Sequence, residues 1–97
     1  DASSAGAIMA VFSDGSAAEA VRGHAAVALA SIARASGSAS ADLVNGIHAA
    51  IAGGGGDDYL YALGRACGIL PVDLATRTKL LNTLRSKINV DTASDDG

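Results

Sequence analysis

The chain has 97 residues, so it forms one domain, and a chain this short buries only roughly 60–70% of its unfolded surface. Alanine, glycine and serine dominate and aromatic residues are only 3%, which gives a finely grained core in which helices approach closely but each residue buries little area. The net charge is −3, and four of the ten acidic residues (Asp1, Asp91, Asp95 and Asp96) lie in the two ends, leaving six against seven basic ones. A nearly neutral body excludes the concentrated basic face that nucleic acid requires and favours self-association. Hydrophobic content of 49% argues against wholesale disorder.

A first helix is expected over about 4–13, carrying Ile8, Val11 and Phe12, with Asp14-Gly15 as the turn after it. Ser16-Ala-Ala-Glu19 has the form of a capping box and predicts a second helix over about 17–35, with Val21, Ala25, Ala28, Leu29 and Ile32 at helical spacing. Gly37 is its natural stop. A third helix over about 41–52 is capped by Ser40, favoured by Asp42 in its first turn, and striped by Leu43, Val44, Ile47 and Ile51.

The glycine run 53–56 then breaks the chain and reads as a flexible hinge. It lacks the Gly-Lys-Ser/Thr ending of a phosphate loop and no strand precedes it. Asp57 or Asp58 starts a fourth helix through Leu60, Leu63, Cys67 and Leu70, the two aspartates acting as a capping pair. Pro71 blocks its continuation and Asp73 caps a fifth. In that last helix Leu74, Leu81 and Ile88 recur every seven residues with Leu84 beside them, while Arg77, Lys79, Arg85 and Lys87 occupy the other, solvated faces. Residues 91–97 read as a disordered acidic tail, so the folded domain is expected over 1–90. The resulting fold class is all-α: a compact bundle of about five short antiparallel helices joined by short loops.

The chemistry-bearing residues are few. His24, His48 and Cys67 lie on different predicted helices, and one histidine exposed on each is the simpler reading than a three-residue metal site. A thiol with two histidines is also a cysteine-protease inventory, but no local nucleophile signature accompanies Cys67. Cys67 falls on the apolar stripe of the fourth helix, which favours a buried thiol over a bridge to another chain. No catalytic, cofactor-binding or metal-binding residue is therefore assigned, no cofactor or small-molecule ligand is expected, and the chain is read as a non-enzyme whose partner is protein. No run of 18 apolar residues is present, so no membrane-spanning helix is expected. The chain reads as a piece of a longer one, and its start is expected to say nothing of compartment.

One resemblance covers about residues 16–90. Ser16-Ala-Ala-Glu-Ala-Val-Arg22 leads into Ala28-Leu-Ala-Ser-Ile32, then a glycine break and Ser38-Ala-Ser-Ala-Asp-Leu43. Ile47-His-Ala-Ala-Ile51 and a glycine-rich turn follow, then Asp58-Tyr59-Leu-Tyr-Ala-Leu63, Gly68-Ile-Leu70, Leu80-Leu-Asn-Thr-Leu84 and Asn89-Val-Asp91. This order resembles the folded helical units of spider silk proteins (spidroins), in their repeated, spacer and C-terminal domains. It departs from them in its five arginines, two lysines and two histidines, and in having only ten serines. The silk C-terminal domains place their cysteine earlier than Cys67, so their intermolecular disulfide is not carried over. The resemblance implies a secreted structural domain. It would keep long repetitive flanks soluble in storage and mediate self-association during fibre formation, with salt and pH between about 5 and 7.5 acting on acidic fringes and two histidines.

A second resemblance is to HEAT-type helical repeats. Val21-Arg22-x-x-Ala25-x-x-Ala28-Leu29-x-x-Ile32 looks like the second helix of such a unit, and Ala62-Leu63 recurs 34 residues after Ala28-Leu29. The second copy lacks the Val-Arg pair. This resemblance implies part of a cytoplasmic solenoid that grips a protein partner along one helix layer.

Overall fold

The computed structural model describes residues 5–88 in full and the backbone of residues 2–96. It is an all-α body of five helices: α1 (Ala2–Ser13), α2 (Glu19–Ser36), α3 (Ala41–Gly53), α4 (Asp57–Ile69) and α5 (Leu74–Asp96). The tail expected at 91–97 lies outside the fully described residues.

Local chemistry sets the boundaries, with two departures from expectation. Ser16 does not cap α2. Its hydroxyl donates to the Asp14 carboxylate at 2.6 Å and its backbone N–H donates to the same oxygen at 2.9 Å. An aspartate after a helix end closes its own turn this way, and that local bond wins over the capping box. The helix begins later, with Ala18 at its N-cap and no side-chain cap. It ends as expected, with Gly37 left-handed at φ 88° and its N–H bonded back to Ala33 and Arg34. Ser40 caps α3 by accepting from the Leu43 N–H at 3.1 Å, and Asp73 caps α5 by accepting from the Thr76 N–H at 2.8 Å. Asp57 and Asp58 occupy the first turn of α4, where the helix dipole favours them, but neither makes a cap hydrogen bond; Gly56 holds the N-cap position.

Consecutive helices alternate in direction. Phe12, near the end of α1, meets Arg22 near the start of α2. Leu70 and Gly64 of α4 meet Arg77 and Leu84 of α5 in reversed order. Helices two apart are therefore parallel: Glu19 and Gly23 of α2 face Gly56 and Ala62 of α4. The most extensive contact in the fold is this α2–α4 pair, with α1 packed on α2 and α5 on α3 and α4. Helices α1, α3 and α5 thus form one layer and α2 and α4 the other.

A single core joins all five helices. Ile47, Ile51, Leu63, Leu70, Leu80 and Cys67 are its fully buried side chains, and Ala25, Ala26, Ala30, Ala33 and Ala66 fill much of the rest. Small residues set the helix spacing. A Cβ on Gly23 would stand 3.0 Å from the Ala62 Cβ, and one on Gly64 the same distance from Leu84 Cδ2, so both contacts are closed by the missing side chain.

The apolar stripe of α5 differs from the heptad read in the sequence. Leu84 is buried and Leu81 packs partly buried against the core as expected, but Leu80 is buried as well, whereas Leu74 is 79% exposed and Ile88 47%. Leu80 and Leu84 are one turn apart and face α3 and α4, and Arg77 joins them rather than a solvated face. Leu74 stands at the first position of the helix.

Candidate interaction surface

Two features of the surface have a shape that protein can recognise. The first is a groove of about 340 Å³ between α1, α2 and α3. Met9, Leu29, Ile32, Ala33 and Leu43 make its floor and Gly6 one wall. Its polar side is the turn between α2 and α3, with Ser36, Ser38, Ser40 and Asp42. Asp42 is the charged residue among its described lining. At the other end of α1 the helix is tied to α2. There the Arg22 Nε–H donates to the Phe12 carbonyl at 3.2 Å, at the negative end of the α1 dipole.

The second feature is a set of large apolar side chains left outside. Among the described residues Val11, Val21, Tyr61, Leu74 and Ile88 are 39–79% exposed. Tyr61 projects from α4 at 73% exposure, with Arg65 exposed one turn on and Asp57 and Asp58 one turn before. It stands at the mouth of a hollow between α2 and α4 bordered by Ala20, Gly23, His24 and Val27.

Between these features lies a polar junction that sequence reasoning did not find. The Glu19 carboxylate accepts from the Gly56 N–H at 3.1 Å. The Arg22 guanidinium lies 5.2 Å from the Tyr59 ring centroid, a cation–π distance. Tyr59 is buried, and its hydroxyl has no hydrogen-bond partner. Desolvation pushes its pKa up; the Arg22 charge opposes that and the Glu19 charge adds to it. The glycine run forms a turn with Gly54 at φ 74° and Gly55 at φ 153°, and the Glu19 bond to Gly56 closes over it.

The residues singled out from sequence are dispersed. His24 is exposed on α2 and Cys67 is buried in α4. His48 on α3 lies 3.2 Å from the Thr83 hydroxyl. That hydroxyl donates to the Lys79 carbonyl, so its oxygen accepts from His48 Nε2–H. Among the described residues no three His, Cys, Asp or Glu side chains converge on a metal-sized site. Burial raises the Cys67 thiol to about 11, against a weaker lowering by Arg77. Arg77 donates from its terminal nitrogen to the Leu70 carbonyl at 2.7 Å, and its Nε is buried without a partner. Lys79 and Arg85 are exposed and Lys87 is half-buried. No helix among the described residues is long and apolar enough to cross a membrane. Compared with protein-family models, curated proteins and solved structures, the chain matches none.

Proposed function

We propose that this is a structural protein-association domain of the kind the silk resemblance implies. It keeps flanking chain soluble in storage and self-associates during assembly outside the cell, without catalysis. The observation that carries this reading is the distribution of apolar bulk. Alanine fills much of the core while Val21, Tyr61 and Leu74 stand at 49–79% exposure. Scattered exposed hydrophobes are normal, but large ones beside a fine-grained core mark surfaces meant for protein. The single core spanning five helices supports a free-standing unit. Its small side chains contribute modest stability, which leaves the body responsive to solvent conditions. The test is oligomeric state and unfolding midpoint across salt concentration and from about pH 5 to 7.5. Both respond if the reading holds, and indifference of both sinks it.

A HEAT-like interaction module is the second reading, and one observation favours it. The parallel α2–α4 pair in one layer, with α1, α3 and α5 in the other, is the order that stacked helix pairs produce. Flanking sequence separates the two. Poly-alanine or glycine–alanine runs belong to the first, and further helical pairs of about 35–45 residues to the second.

A further inference from the structure

We infer that Tyr61 of one copy seats in the α1–α2–α3 groove of a second copy, so that the chain associates head to tail. The inference rests on the self-association reading and names its surface.

Tyr61 is an amphipathic projection: a ring that gains by leaving water and a hydroxyl that needs a polar partner. At 73% exposure it gains almost nothing within its own chain. The groove offers what such a side chain lacks, an apolar floor of Met9, Leu29 and Leu43 with serines along one side. Ser36 already donates its hydroxyl hydrogen to the Ala33 carbonyl at 2.9 Å, so its oxygen is left to accept from a tyrosine hydroxyl. At about 340 Å³ the groove is at the small end of the roughly 300–1,000 Å³ that ligand sites span. That suits one aromatic side chain with its immediate neighbours.

Charge favours Tyr61 over Leu74, the most exposed of the described large hydrophobes. Among the described residues that line the groove, Asp42 carries the charge. Arg65, one helical turn beyond Tyr61, is exposed and of opposite sign, while Asp57 and Asp58 lie on the other side of the ring. Leu74 is more exposed still, at 79%, but Asp73 precedes it and would bring a carboxylate to a carboxylate.

Direction decides the kind of assembly. The groove uses residues 29, 32, 33 and 36 of α2, and the hollow beside Tyr61 uses residues 20, 23, 24 and 27. At about 100° per residue these two sets fall on opposite sides of the helix. Projection and socket therefore face away from each other and a pair cannot satisfy both contacts at once. Such a heterologous contact leaves a free projection and a free socket at every stage, and growth is open-ended.

Gly6 makes the test clean. A Cβ there meets nothing within 4 Å, so Gly6→Leu starts its side chain from open space, narrows the groove and puts a residue that favours helix more in α1. Sedimentation velocity on the full chain, with thermal melts confirming that each variant folds, reads the result. Wild type shows a mass that rises with concentration without a plateau. Tyr61→Ala and Gly6→Leu each stay monomeric, and their mixture stops at one-to-one pairs, the lone intact projection in the lone intact socket. Arg65→Asp and Asp42→Arg each weaken association roughly tenfold, and the double variant recovers it. The inference is overturned if wild type associates and both single variants associate equally well. It is also overturned if the mass plateaus at a dimer, or if Leu74→Ala is the change that abolishes assembly; in those cases the self-association reading still stands. A wild type that stays monomeric up to about 1 mM at every salt concentration overturns both.

Discussion

The Glu19 carboxylate accepts a hydrogen bond from the Gly56 N–H at 3.1 Å, across 37 residues of sequence. A side chain from the first turn of α2 thereby caps α4, which has no side-chain cap of its own. The same carboxylate closes over the glycine turn: a Cβ on Gly55 would stand 2.8 Å from Glu19 Oε2 and equally close to the Tyr59 ring.

Removing that cap has a defined expectation. Glu19→Ala lowers stability by about 0.5–2 kcal/mol, the usual worth of a helix cap. Gly55→Ala costs about 1–3 kcal/mol, because φ 153° suits only glycine and the added methyl meets two groups. In a double-mutant cycle the two changes are less than additive, since losing the carboxylate relieves one of the two clashes. Urea unfolding of the four proteins gives all the numbers, and strict additivity would contradict the shared contact.

The two stripes of α5 separate cleanly. Leu80→Ala opens a fully buried position and costs about 2–5 kcal/mol. Leu74→Ala stays within about 0.5 kcal/mol of wild type. Equal costs in thermal denaturation would restore the heptad stripe that the sequence suggests.

Among the glycines, Gly23→Ala and Gly68→Ala move in opposite directions. The first drives a methyl to 3.0 Å from Ala62 in the α2–α4 seam and destabilises. The second meets nothing within 4 Å on α4, so it stabilises by about 0.5–1 kcal/mol through helix propensity. The sign of each shift in melting midpoint is the measurement.

Asp14 and Asp73 shape the acid limb, and Cys67 acts with Tyr59 on the alkaline limb. Hydrogen bonds from Ser16, its side chain first and then its backbone, lower Asp14, with Arg22 adding a little. Thr76 lowers Asp73 in the same way. A depressed carboxylate contributes stability that is present above its unfolded value near 4 and is lost as pH falls through its folded value. Asp14→Asn and Asp73→Asn therefore flatten the loss of stability below about pH 4. Cys67 runs the other way. Its folded value is raised to about 11, so its contribution is present below the unfolded thiol value and is lost as pH rises through about 11. At pH 8 the native thiol reacts with a thiol-specific chromogenic reagent only as fast as the fold opens, and Cys67→Ala removes its part of the alkaline step.

Much of the fold was legible in the sequence because it is local. Gly37, Ser40, Pro71 and Asp73 act at the ends of α2 to α5 through bonds that span three or four residues. The buried stripe of Leu43, Ile47 and Ile51 follows from helical spacing alone. What was not legible depends on partners far along the chain. Ser16 has the spacing of a capping box, yet two residues away Asp14 offers a stronger local acceptor, and Glu19 is left to bond a glycine 37 residues on. Leu74, Leu81 and Ile88 repeat regularly, but only the position of α4 decides that Leu80 and Leu84 face inward. The groove and Tyr61 have no periodic signature, since each is defined by where neighbouring helices stop.

The alternation of helix direction also bears on how the chain reaches its fold. Its main helix contacts, α1 with α2, α3 with α4, and α4 with α5 among them, all join segments separated by turns of three to five residues or by one intervening helix. Short closures of this kind place helical bundles among fast folders, on the scale of roughly microseconds to milliseconds. During synthesis α1 and α2 can pair as soon as both emerge, but the α2–α4 seam waits for Tyr59 and Ala62. Until then Gly23 and its alanine neighbours face water, and the first half of the chain is a nascent hairpin awaiting its mate.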